Sequence, residues 1–98
     1  MPNSLTINGA GVLRDFLKSK QATTIFAITG AGNLAIIDAL EQDSSFKIIY
    51  SHHEQAAVME AQGFSRVTGN PGVALVTTGG GTSNAFTGVL SANLDSIP

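Results

Sequence analysis

The chain has 98 residues, of which 43% are hydrophobic and 12% are charged, and it carries a net charge of −2 and no cysteine. That length allows one small domain, and five scattered Lys and Arg residues form no basic stripe, which argues against nucleic-acid binding. The lack of cysteine excludes disulfides and thiolate metal sites and agrees with a cytoplasmic location. No apolar stretch approaches the ~20 residues that span a bilayer, so no membrane partner is expected.

The first half of the chain predicts two helices around one strand. An apolar stripe with a 3.6-residue period predicts a helix over residues 9–19. Its members are Val12, Leu13, Phe16 and Leu17. The β-branched and aromatic run 24–28 ends at glycines and is typical of a buried parallel strand. Asn33 is then expected to cap a helix over residues 34–41.

The second half repeats this alternation. Strands are predicted over 47–51 and 73–77, and helices over 54 to about 67 and over 82–94. The order αβαβαβα predicts an α/β fold, an open and mostly parallel sheet with helices on both faces. Three strands are fewer than the ~4 to 6 of a common sheet. Residues 1–98 are therefore expected to form a single, partial domain.

An acid and a glycine loop are predicted to meet at one edge of this sheet. Glu54 follows the second strand, and the loop 78–81 follows the third. In open parallel sheets, ligands bind outside the carboxyl ends of the strands, which makes both features candidates for one site. Taken alone, an acid in the first turn of a helix has a simpler explanation, because the helix dipole favours it there by about 0.3 to 1 kcal/mol.

Other polar groups near this edge leave alternatives open. The amides of Gly79–Gly81 suit a phosphate at a helix N-terminus, although the loop lacks the Lys-Ser/Thr pair of a P-loop and does not complete G-x-G-x-x-G. A tight turn with positive φ angles explains the glycines equally well. Histidine is a common general acid-base residue, so His52 and His53 could act in that way, but a hydrogen-bonding role in the turn is as good an interpretation. Their spacing and the lack of a third ligand predict no metal site.

Five segments of the chain carry a family resemblance. They are His53-Glu54-Gln55-Ala56-Ala57, Gly63-Phe64-Ser65-Arg66, Thr68-Gly69, Pro71-Gly72-Val73 and Asn84. Together they resemble the pyrimidine-binding domain of thiamine diphosphate enzymes, most closely the acetolactate synthase-like branch. The resemblance implies a partial thiamine diphosphate-binding fold. It also implies that Glu54 is catalytic and hydrogen-bonds a ring nitrogen of the cofactor's aminopyrimidine.

The resemblance extends to other cofactor-binding residues. Gly80 and Asn84 match positions that border the aminopyrimidine, while Ile28 and Gly30 match the first-strand loop on its other side. The chain departs from the family at Thr29 and Gly80, where proline is frequent, and Phe64-Ser65 replaces the usual Tyr-Ala.

The role implied for Glu54 has a physical requirement. Its carboxyl group needs an apolar, partly dehydrated pocket, because desolvation favours the protonated form that shares a proton with the ring. The apolar residues 56–59 that follow Glu54 make such a pocket feasible.

By resemblance, the chain is the N-terminal portion of a carboligase or decarboxylase that acts on a 2-oxo acid such as pyruvate. The implied cofactors are thiamine diphosphate and Mg²⁺, the metal being bound by a domain absent from this chain. The site would be completed by the diphosphate-binding domain of a second subunit in a homo-oligomer, so the chain alone is expected to be inactive. The alternatives are a self-associating or partner-binding α/β module without catalysis, and a phosphate- or nucleotide-binding domain that uses Gly79–Gly81.

Overall fold

Three short parallel strands form the centre of the structure, a computed structural model that describes residues 8–98. They are β1 (Thr24–Ala27), β2 (Lys47–Tyr50) and β3 (Val73–Leu75). Their order in the sheet is β2-β1-β3, and in the parallel register Phe26 pairs with Ile49 on one side and with Ala74 on the other. The predicted strands were one or two residues longer, but the ladder does continue past them, since Ile28 N donates to Leu75 O and Ser51 N to Ala27 O.

Four helices alternate with the strands, which confirms the predicted αβαβαβα order. They are α1 (Gly9–Ser19), α2 (Leu34–Glu41), α3 (Glu54–Thr68) and α4 (Gly80–Leu94), and one 3₁₀ turn (Ala31–Asn33) precedes α2. α4 begins two residues before the predicted start, directly after its N-cap Gly79, whose φ of 71° favours glycine. None of the helices between residues 8 and 98 combines the length and apolar content needed to cross a membrane.

The strands alternate their side chains between two cores. Ile25 and Ala27 point to one face, where they pack with Leu40 of α2 and with Leu17 of α1. Phe26 points to the other face and packs against Ala57 and Ala61 of α3. The period of two along β1 therefore places helices on both faces of the sheet, as predicted. α4 packs beside α3, on the second face.

A largely apolar groove of about 440 Å³ runs beside β3, between α3 and α4. Val58, Ala74, Val89 and Ile97 are among the residues that line it. At one end the chain itself approaches β3, since Gly72 N donates to Pro98 O at 3.1 Å. The lining within the described part of the chain contains no titratable side chain. The groove therefore offers packing surface and no acid-base chemistry.

Ser65 buries an unpaired hydroxyl group in α3, and its replacement by alanine is expected to stabilise the fold. The residue is only 3% exposed, and within residues 8–98 its hydroxyl finds no hydrogen-bond partner. A buried unpaired polar group costs about 1 to 3 kcal/mol. We expect Ser65→Ala to raise the thermal midpoint by roughly 4 to 8 °C for each kcal/mol recovered.

The control is Ser91→Ala in α4, which makes the same change of helix propensity at a position that is not fully buried. Thermal unfolding followed by circular dichroism measures both variants. An equal rise in the two midpoints would assign the gain to helix propensity and not to the buried hydroxyl.

Candidate functional site

The carboxyl ends of the three strands lead into three neighbouring polar segments. The segment after β2 opens α3 at Glu54, and the preceding residue, His53, is the N-cap. His53 is extended, and its Nδ1 accepts a hydrogen bond from the amide of Gln55 at 3.0 Å. His53 therefore supports the turn, which is one of the two roles considered for it, and holds Glu54 at the start of the helix.

Glu54 and Asn84 lie in direct contact, although 30 residues separate them in sequence. Asn84 Nδ2 in α4 donates to Glu54 Oε1 at 3.1 Å. The other carboxylate oxygen lies beside Gly81, where a Cβ would be only 3.4 Å from Oε2. The first turns of α3 and α4 thus meet at this carboxylate. Glu54 and the glycine loop therefore lie at the same edge of the sheet, as predicted.

The environment of Glu54 lowers its pKa below the ordinary value of 4.5. The main cause is the hydrogen bond from Asn84, which favours the charged form, and the smaller desolvation effect acts in the opposite direction. In this chain the carboxyl group therefore favours the charged form, and the dehydrated pocket that favours the protonated acid stays a prediction. The physical reason is that Glu54 is only half-buried while its carboxylate receives a donated hydrogen bond.

Asn84→Ala is expected to raise the pKa of Glu54 toward 4.5, because it removes the largest cause of the lowering. A lowered pKa means that Glu54 contributes stability above its unfolded-state pKa and loses that contribution as the pH falls through the folded-state value. The variant should therefore show a weaker loss of stability on acidification through this range. NMR titration of the Glu54 carboxyl carbon measures the shift, and an unchanged pKa would contradict the assigned cause.

The segment after β1 is held by a buried asparagine. Asn33 is 2% exposed, its Oδ1 accepts from Gly30 N at 3.0 Å, and its Nδ2 donates to Ile28 O at 3.0 Å. Asn33 occupies the N-cap position of α2 as predicted, but its side chain makes no capping bond there. The 3₁₀ turn directs it back toward the loop instead. Both Ile28 and Gly30, predicted from the resemblance, are thereby fixed by one side chain that sequence reasoning assigned elsewhere.

Thr77 joins this loop to the first turn of α4. Gly32 N donates to Thr77 Oγ1 at 3.0 Å, and a Cβ added to Gly30 would lie 2.5 Å from Thr77 Cγ2. A Cβ at Gly81 would lie 2.9 Å from the same methyl group. From the sequence, Thr77 was only the last residue of the predicted strand 73–77, because nothing in its own sequence pattern shows that glycines of another segment face it.

Gly80 completes the set of predicted residues. A Cβ added to it would have no neighbour within 4 Å, so Gly80 borders open space and not a packed contact. The structure therefore brings Glu54, Asn84 and Gly81 together, places Ile28 and Gly30 in the adjoining loop, and leaves Gly80 at the open side.

The arrangement combines one carboxylate, one amide and a glycine-lined opening at the ends of parallel strands. Between residues 8 and 98 no group of three or more His, Cys, Asp or Glu side chains is arranged so that it could hold a metal ion. The carboxylate can hold or accept a proton, and the amide of Asn84 orients it.

Comparison with known proteins adds independent information. The family model described as "Thiamine pyrophosphate enzyme, N-terminal TPP binding domain" matches residues 7–98. The acetolactate synthase of Bacillus subtilis is 47% identical over 90 residues, which are 92% of this chain and 16% of that protein. The chloroplastic acetolactate synthase of Arabidopsis thaliana is 37% identical over 90 residues, 92% of this chain and 13% of that protein. The acetolactate synthase large subunit of Parasynechococcus marenigrum is 41% identical over 96 residues, 95% of this chain and 16% of that protein.

Proposed function

Because the chain belongs to the thiamine pyrophosphate enzymes through their N-terminal TPP-binding domain, we propose that it is the N-terminal portion of an acetolactate synthase-like enzyme. The proposed reaction joins or cleaves the carbon bond next to the carbonyl of a 2-oxo acid such as pyruvate. The observation that carries the proposal is the contact between Glu54 and Asn84 beside Gly81, at the edge where a cofactor ring would bind.

The residues at this edge fit an aminopyrimidine. Glu54 offers a carboxylate to a ring nitrogen, and Gly80 leaves space beside it, since nothing would lie within 4 Å of a Cβ there. The resemblance places Ile28 and Gly30 on the other side of the ring, and the hydrogen bonds between Asn33 and both residues support a fixed loop there. When bound, thiamine diphosphate supplies the nucleophilic carbon that attacks the carbonyl of the substrate.

Glu54 is the proposed catalytic residue, and its task is to hold a proton against the ring nitrogen. In this chain the hydrogen bond that Asn84 donates lowers the pKa of Glu54, and the smaller effect of desolvation does not offset it. Covering the open side removes water from the carboxyl group, and that desolvation raises the pKa toward the protonated form. Asn84 keeps Oε1 oriented in either state, since an uncharged acid still accepts a hydrogen bond through one oxygen.

The position of Glu54 also bears on the phosphate-binding alternative. A phosphate at the N-terminus of α4 would lie next to Gly81, and the Glu54 carboxylate is already beside that residue. Two negative charges in contact repel each other, which disfavours a nucleotide there. The Thr82 hydroxyl also disfavours phosphate binding, because its proton is already donated to Thr77 O and not to a bound anion.

The proposal includes partners that complete the site. Mg²⁺ and the cofactor's diphosphate would be held by a diphosphate-binding domain, in the same protein or a second subunit of a homo-oligomer. The chain spans 13 to 16% of the length of the three relatives described above, which leaves room for such domains. The exposed apolar side chains of α4 support a covered face. They are Phe86, Val89, Leu90 and Leu94. The cytoplasmic location stays a prediction.

A chimera tests the proposed function. Residues 7–98 would replace the matching segment of the Bacillus subtilis acetolactate synthase, and calorimetry would measure binding of thiamine diphosphate with Mg²⁺, with ATP as the control ligand. Acetolactate formation from pyruvate is the second readout, and the 98-residue chain alone is expected to show no turnover. A chimera that assembles but neither binds thiamine diphosphate nor turns over pyruvate would sink the proposal.

A further inference from the structure

Thr77 lies two residues after β3, between the loop that follows β1 and the first turn of α4. On one side its hydroxyl oxygen accepts a hydrogen bond from the amide of Gly32, 45 residues away in sequence. Because Gly32 belongs to the 3₁₀ turn that follows β1, this bond ties that turn to β3.

The methyl group of the same side chain fills the space between two glycines. A Cβ on Gly30 would lie 2.5 Å from Thr77 Cγ2, and one on Gly81 would lie 2.9 Å from it. Both distances are shorter than real carbon contacts, so only glycine allows this approach from each side. Thr77 is therefore in contact with the first loop and with α4 at once.

Gly81 connects Thr77 to the carboxylate. The Thr77 methyl group and Glu54 Oε2 both face the side of Gly81 that carries no side chain, since a Cβ there would lie 2.9 Å from the methyl group and 3.4 Å from Oε2. The main chain of Thr77 adds a second attachment to α4, because Thr82 Oγ1 donates to Thr77 O at 2.9 Å. Thr77 thus contacts both the first loop and the first turn of α4, and it sets the distance between these two segments.

We propose that Thr77 is a positioning residue of the cofactor site, whose hydroxyl fixes the first loop at the distance from Glu54 that an aminopyrimidine ring requires. This inference rests on the proposed function. The hydroxyl group has the positioning role, because the hydrogen bond that it accepts from Gly32 N holds the first loop against the end of the β3 segment. The methyl group only fills the space between the two glycines.

Two substitutions separate the hydroxyl from the methyl group. Thr77→Val keeps the shape but removes the acceptor for Gly32 N, while Thr77→Ser keeps the hydroxyl. A net hydrogen bond is worth about a factor of five in an equilibrium. In the chimera, Thr77→Val should raise the Kd of thiamine diphosphate about 5-fold. Thr77→Ser, which keeps the hydroxyl group, should have a Kd within about 2-fold of that of the unmodified chimera. Thr87→Val, at an exposed position of α4, is the control and should leave the Kd unchanged.

A measurement without cofactor tests the hydrogen bond between Gly32 N and Thr77 Oγ1 directly. Hydrogen exchange followed by mass spectrometry should show faster exchange of the peptide that contains Gly32 in Thr77→Val and not in Thr77→Ser. Equal exchange in all variants, or a Kd for Thr77→Val within 2-fold of the unmodified chimera, would overturn the inference. Failure of the unmodified chimera to bind the cofactor would instead refute the proposed function, and with it the positioning role.

Discussion

Glu54→Gln in the chimera is expected to lower turnover of pyruvate by about 10²- to 10⁴-fold, the range that a positioned acid-base group contributes. Glutamine keeps the side-chain length and an oxygen that accepts from Asn84 Nδ2, so the contact between α3 and α4 is preserved. What is lost is the ability to hold a proton against a ring nitrogen. The loss should therefore appear in kcat, with the folded state intact.

The matched control is Glu60→Gln, which makes the same change on the same helix, at an exposed position where Ser51 donates to the carboxylate. It should leave turnover within about 2-fold of the unmodified chimera, as is usual for surface substitutions. Retention of most activity by Glu54→Gln would remove Glu54 from the mechanism. A comparable loss in both variants would point to damage to α3 and not to chemistry.

Residues far apart in sequence could be placed together because topology alone decides which ends of strands share an edge. Glu54 and the glycine loop 78–81 were expected at one edge since parallel strands joined by helices put all carboxyl ends on the same side. Asn84, in the helix that follows this loop, places its Nδ2 3.1 Å from Glu54 Oε1. The order αβαβαβα likewise predicted helices on both faces of the sheet, and the two cores on either side of β1 confirm it. Periods of 2.0 and 3.6 residues encode these features directly.

The direction of the Glu54 pKa shift could not be predicted in the same way. It depends on how much water reaches the carboxyl group and on the rotamer of one asparagine, and neither is encoded by a sequence period. Asn33 shows the same limit, because an asparagine before a helix is a good cap by type, yet a 3₁₀ turn directs its amide to Ile28 and Gly30. The role of Thr77 depends on which glycines face it, a property of three segments together.

Gly72→Ala is expected to destabilise the chain by about 3 kcal/mol or more, the upper range for overpacking a well-packed site. A Cβ at Gly72 would lie 2.0 Å from the carbonyl oxygen of Ala61 and 2.7 Å from its carbonyl carbon. These are main-chain atoms of α3 at a residue only 5% exposed, so no flexible side chain can move aside. Relief requires α3 to shift away from the start of β3. Thermal unfolding of the 98-residue chain should show a midpoint lower by more than roughly 10 °C.

Gly63→Ala provides the comparison, because it adds the same methyl group to the same helix at an exposed position where nothing would lie within 4 Å of it. Alanine is favoured over glycine in a helix by about 1 kcal/mol, so this variant should be more stable than the unmodified chain. If Gly72→Ala lowers the thermal midpoint and Gly63→Ala raises it, the contact with Ala61, and not the loss of a glycine, causes the destabilisation at Gly72. Because Glu54 begins the helix that Gly72 supports, Gly72→Ala should also weaken cofactor binding in the chimera. Two variants with equal midpoints would contradict the close contact between Gly72 and α3.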